Sequence, residues 1–98
     1  MRILIRANGE TETFDKPLTL RDIERLIGCE ILDSINLPFE EGLHVMCIDD
    51  WGAKKGLPAN IAATTFYYQK CGGPVDWAIC GDVVIVPDDD FAMPVRPL

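Results

Sequence analysis

The first apolar run is Ile3-Leu4-Ile5, set between Arg2 and Arg6, and Asn8-Gly9 follows at once. Asn-Gly readily takes the positive φ angles of a tight turn. Residues 10–14, ETETF, then alternate charge with Thr and Phe, so the pattern predicts a hairpin of 2–7 with 10–14 that has one wet face. Pro17 closes it. Leu20, Ile23, Leu26 and Ile27 then recur at helical spacing, with Arg21, Asp22, Glu24 and Arg25 on the other side. Thr19 is the expected N-cap, Asp22 its capping-box partner and Gly28 the stop, which places a helix at 20–27.

Further along, EILDSINLP (30–38) reads as a strand ending at Pro38, and Phe39-Glu40-Glu41-Gly42 as a turn. LHVMCID (43–49) reads as another strand. Leu43, Val45 and Cys47 fall on one face of it and His44, Met46 and Ile48 on the other. Both faces are largely apolar, which predicts an interior strand covered on both sides. A turn at Asp50-Trp51-Gly52 and a short return strand at Ala53–Lys55 are expected next. For residues 60–69, β propensity in Thr-Thr-Phe-Tyr-Tyr competes with the N-cap Asn60 and two alanines; a helix is the expectation. Cys71 to Pro74 reads as a loop and GDVVIVP (81–87) as a strand. Residues 88–98, with three aspartates and two prolines, read as a solvated, mobile tail or docking peptide. The predicted fold is one α+β domain over 1–87, a mostly antiparallel sheet with two helices.

Charge narrows the function classes. A formal charge of −7 over 98 residues repels phosphate backbones, which argues against non-specific nucleic-acid binding and leaves nucleic-acid mimicry as a minor alternative. No apolar run is long enough for a signal core or a membrane span, so a cytoplasmic location with reduced thiols is expected. Cys29, Cys47, Cys71 and Cys80 contain no C-x-x-C pair, and buried thiols acting as small hydrophobes are favoured over zinc shared with His44.

Candidate chemistry is sparse. Ser34 lacks a nucleophile-elbow context, and the odd spacing of His44 and Cys47 sends them to opposite faces of a strand. The carboxylates of Asp49-Asp50 and Asp88-Asp89-Asp90 sit at a turn and in the tail, where solvation is the ordinary state; magnesium at Asp49 or Asp50 is a faint alternative. Lys54-Lys55-Gly56-Leu57-Pro58-Ala59-Asn60 lacks P-loop spacing. Two readings of it remain. A helix starting at Asn60 presents free N–H groups to an anion, with Lys54 and Lys55 adding charge, Gly56 and Thr64 nearby and Trp51 as a stacking surface. Alternatively, Asn60 caps its own helix, Pro58 stiffens the entry and Leu57 packs as a hydrophobic staple. The second reading is preferred.

Asp49, Gly52, Lys55, Gly56, Leu57, Pro58, Asn60, Ala63 and Thr64 fit the pattern D-x-x-G-x-x-K-G-L-P-x-N-x-x-A-T. In this motif the chain resembles a family of short phage, prophage and plasmid proteins of unknown function. That family also opens with a hairpin and a helix and closes on Gly-Asp before a β-branched strand, here Gly81-Asp82 and Val83–Val86. The resemblance spans about residues 1–87 and implies a mobile-element origin with no known catalytic residues.

The resulting expectation is a non-enzymatic accessory protein without cofactor or metal that acts by binding. One version sequesters a small anionic ligand, such as a nucleotide, at Trp51, Lys54, Lys55, Gly56, Asn60 and Thr64. The other inhibits a host protein through an exposed apolar or acidic surface, with Phe91–Leu98 as one docking element. A metal-dependent nucleotide-processing enzyme and a structural or assembly component are the alternatives. A homodimer would enlarge so small a core.

Overall fold

The structure, a computed structural model, describes residues 2–40, 42–71 and 78–92. The loop expected at Gly72–Pro74 and the tail from Met93 lie outside them. Five strands form one antiparallel sheet: β1 (Ile3–Ile5), β2 (Thr11–Thr13), β3 (Leu32–Phe39), β4 (Gly42–Asp49) and β5 (Val83–Pro87), in the order β2-β1-β5-β4-β3. Helices α1 (Leu20–Ile27), α2 (Ile61–Cys71) and α3 (Asp88–Ala92) complete the described elements. None is long and apolar enough to cross a membrane.

Alternation of side chains builds two cores. Leu4, Val45, Cys47, Val84 and Val86 point to one face and are covered by Ile23 and Ile27 of α1. Ile5, Leu37, Met46, Val83 and Ile85 point to the other, against Ala63 of α2 and Ile79. The continuous apolar run of β5 follows from its central place, since its four valine and isoleucine side chains are all buried and divided between the two faces. The expectation that β4 is interior and covered on both sides holds for the same reason.

Local signals work where they act within a few residues. Thr19 Oγ1 accepts from Asp22 N at 3.0 Å, Asp22 Oδ2 accepts from Thr19 N at 3.1 Å, and Gly28 ends α1 at φ 74°. The Thr19 bonds also hold the Asp22 carboxyl below its ordinary pKa. In the first hairpin, Gly9 (φ 94°) donates to the Arg6 carbonyl at 2.9 Å, and Arg6 N donates to the Glu10 carbonyl at 2.8 Å.

Four expectations are corrected. Pro38 does not end a strand; it lies inside β3, paired with Leu43, because β3 is an edge strand whose outer side needs no N–H. Ala53–Lys55 is not a strand. Gly56 (φ 73°) donates to the Ala53 carbonyl at 3.1 Å and Leu57 N to the Gly52 carbonyl at 3.0 Å, the paired bonds that terminate a helical turn. Cys71 belongs to α2 rather than to a loop. The acidic tail opens with α3, and Asp90 is not solvated: Arg2 grips it by two bonds, Nε–Oδ2 at 2.7 Å and Nη2–Oδ1 at 3.0 Å. The hydrogen bond to Asp90 raises the Arg2 pKa.

Removing the capping hydroxyl by Thr19→Ala is expected to destabilise the fold by about 1 kcal/mol, read as a lower urea midpoint with unchanged slope.

Candidate functional site

Residues 49–64 hold every residue proposed from sequence for ligand binding, and the structure gives most of them an internal partner. Asp49 ends β4 with its side chain almost fully buried. Its Oδ1 accepts from Trp51 N at 2.9 Å, which starts the turn, and its Oδ2 accepts from Lys55 Nζ at 2.6 Å, which closes it. That hydrogen bond raises the Lys55 pKa above its ordinary value. Lys55 therefore neutralises a carboxylate of its own loop. Lys54, exposed on the same turn, makes no ion pair with the described residues.

Close backbone contact then seats the loop on the segment leading into β5. A Cβ on Gly52 would lie 2.7 Å from the Cys80 carbonyl oxygen, so only glycine fits there. Ala59 pairs with Cys80 in an isolated antiparallel bridge, flanked by Asn60 N to the Ile79 carbonyl at 2.7 Å and Gly81 N to the Pro58 carbonyl at 2.8 Å. Leu57 packs beneath Gly81 (φ 90°), where a Cβ would meet Leu57 Cδ1 at 2.9 Å. This contact, across the chain rather than along the helix, is where the expected staple residue is engaged.

Asn60 sits at the centre, fully buried. Its Oδ1 accepts from Ala63 N at 2.9 Å, the capping bond expected from sequence. Its Nδ2 donates to the carbonyls of Ile5 and Gly81, both at 2.9 Å. Thr64 completes the set: its Oγ1 donates to the Asn60 carbonyl at 2.8 Å and accepts from Ile79 N at 3.0 Å. One amide and one hydroxyl thus join the end of β1, the entry to β5, residue 79 and the first turn of α2. No described buried side-chain polar atom lacks a partner.

As a ligand site, the predicted set divides. Asn60 and Thr64 are buried and fully engaged, Lys55 is paired, and Gly56 supplies a turn. Trp51 and Lys54 stay exposed, Trp51 at 40 %. The helix N-terminus that sequence offered to an anion is capped from within.

The remaining candidates also separate. His44 and Cys47 do face opposite ways: the His44 ring lies on Phe39, centroids 4.2 Å apart, while Cys47 is in the core beneath α1. His44 Nδ1 is 3.1 Å from the Gly42 carbonyl oxygen, and Lys70 Nζ sits 4.4 Å above the Phe39 ring. Burial, with a smaller effect from Cys29, pushes the Cys47 thiol up to about 12, so it stays protonated and inert at neutral pH. Among the described residues no three His, Cys, Asp or Glu side chains converge as metal ligands. A shallow cleft of about 250 Å³ lies between α1 and the segment before it, lined by Phe14, Leu18, Asp22, Arg25 and Leu26, away from the motif.

Two roles were not readable from sequence. Asp82, partnered by Arg6 Nη1 and Ala7 N, both at 2.9 Å, fixes the first hairpin to the entry of β5. Asn60 was legible as a cap, but its second pair of bonds reaches Ile5, 55 positions away.

Replacing Asn60 by Ala removes the buried bonds to the carbonyls of Ile5 and Gly81 and to the Ala63 N–H, and is expected to cost roughly 3–5 kcal/mol in denaturant unfolding. Asn60→Asp carries a sharper signature. A carboxylate there faces two carbonyl oxygens, so its folded pKa lies above the unfolded value of about 4. The folded state then keeps its proton longer, and stability relative to wild type falls as pH rises through that range. Gly52→Ala is expected to cost about 1–3 kcal/mol by forcing the loop off Cys80.

Searches of curated proteins and of solved structures find no match. A family model described as a domain of unknown function, DUF3846, matches residues 1–93, nearly the whole chain. The protein belongs to that family.

Proposed function

We propose that this protein works by binding a partner protein and not by turning over a substrate. The observation that carries the reading is the engagement of Asp49, Lys55, Asn60 and Thr64, the motif's polar side chains, with one another and with the backbone. Five large apolar side chains also face outward among the described residues: Leu20, Ile31, Leu43, Trp51 and Ile61 are all more than a third exposed, Ile61 at 67 %. Large apolar side chains held at the surface of a small rigid domain suit association. The resemblance to phage, prophage and plasmid proteins extends the proposal to a host protein as the target and to counter-defence or host takeover as the purpose, in the host cytoplasm.

In an extract of host cells, the purified protein is expected to enter a stoichiometric complex that survives gel filtration and contains one identifiable host protein. Metal-dependent turnover of a nucleotide by the purified protein would contradict this reading. A second reading rests on the exposed Trp51 and on Lys54 in the same turn, which makes no ion pair with the described residues: an anionic ligand such as a nucleotide held at the turn. It requires that a nucleotide raise the melting temperature of the wild type and fail to do so for Lys54→Ala.

A further inference from the structure

We propose that the corner formed by Ile31 and Trp51 is a docking surface for a basic segment of a partner protein that carries aliphatic side chains, an inference that rests on the protein-binding reading above.

The corner is a continuation of the sheet. Leu32 pairs with Asp49 at the end of the β3–β4 ladder, and Asp50 N donates to the Ile31 carbonyl at 3.0 Å one step further. Ile31 and Asp50 are therefore opposite each other, with Trp51 next in the chain. Ile31 is 42 % exposed and Trp51 40 %, so two large apolar side chains reach water at one end of the sheet. Both stand on fixed backbone. The Ile31 carbonyl is bonded to Asp50, and Trp51 N to the buried carboxylate of Asp49. An occupant would meet a preformed surface and little ordering cost.

Charge selects the occupant. Glu30, Asp33 and Asp50, each one or two positions in the chain from Ile31 or Trp51, are exposed. Asp49 and Lys55 cancel, which leaves Lys54 as the one cation of residues 30–33 and 49–55 set against three exposed carboxylates. The loop whose lysines suggested an anion site is thus acidic in its surroundings. Nucleic acid and anionic lipid are repelled there. A second copy of this chain fits poorly, because a two-fold contact would place the same carboxylates against each other. Strand addition along β3 is also obstructed. Asp33 Oδ1 takes the Ser34 N–H at 2.9 Å, and Pro38 has none to give. Lysine or arginine supplies the complementary charge, and its methylene stem or a neighbouring aliphatic residue covers Ile31 and Trp51.

The test uses the full chain and defined probes. A short peptide alternating lysine and leucine is titrated against isotope-labelled protein and followed by amide and indole resonances. Saturable shifts are expected at Ile31, Asp50 and Trp51, weakening as salt is raised. The double variant Ile31→Ser/Trp51→Ser should bind at least about tenfold more weakly. Both positions are exposed, and an unchanged urea midpoint verifies that the variant folds. Equal shifts from a lysine–serine peptide, shifts centred elsewhere, or retained affinity in the double variant would overturn the proposal. A homodimer dissolved by the same substitutions would overturn it too. Should the host complex form and survive the double variant, this corner is excluded while the protein-binding reading stands. With no host complex at all, that reading fails first.

Discussion

A primary amide sealed away from water has to find partners for two N–H donors and an oxygen, and a vacancy costs on the order of 1–3 kcal/mol. Asn60 meets this constraint by drawing four parts of the chain to within 3 Å of its own atoms: the end of β1 at Ile5, the entry of β5 at Gly81, the first turn of α2 at Ala63 and, through its backbone N–H, Ile79. Thr64 repeats the device one helical turn on, joining the Asn60 carbonyl to Ile79 N. Because these bonds are directional, they fix register and approach angle as well as stability. The sheet could be buried by any apolar helix; where α2 begins, and which residue leads into β5, depends on this amide.

The surrounding motif reads as the set of conditions that keep Asn60 in place. Gly52 lets the loop touch the Cys80 carbonyl, Gly56 turns the chain, Leu57 fills the space beneath Gly81, and the bond from Lys55 to the buried Asp49 carboxylate closes the loop. Ala63 is small because α2 lies directly on the sheet at that point. A ligand-binding loop that must move for its ligand is usually drawn from weakly held structure. This one is tied at both ends and in the middle. Its functional consequence lies outside the motif, in the apolar and acidic side chains that it presents on an immobile base.

Sequence showed what acts over short spans. The capping box at Thr19 and Asp22, the stop at Gly28, the positive φ at Gly9 and the two-sided β4 follow from local periodicity and turn chemistry, and with them the α+β class. Asn60 as a cap belongs to the same group. The misses are positional. Pro38 signals a strand end unless the strand is an edge, and edge status is decided by β4 and β5. Ala53–Lys55 looked extended because the bonds that curl it run to Gly52 and Ala53 around a glycine whose handedness is not encoded in its neighbours. Lys55 was read as available charge because its partner lies six positions away on the far side of a turn. Asp90 was read as solvated because Arg2 is 88 positions distant. Partners beyond the reach of local patterning, six positions off for Lys55 and 88 for Asp90, were the information missing from the sequence reading.

Asn60 makes the loop, α2 and the approach to β5 one cooperative unit. Native-state amide hydrogen exchange tests it directly through the N–H groups of Asn60, Ala63, Thr64, Ile79 and Gly81. All five are expected to exchange together, with the free energy of global unfolding shown by the central strand β5. Ile79 and Gly81 exchanging far faster than β5, or α2 opening independently of them, would contradict it.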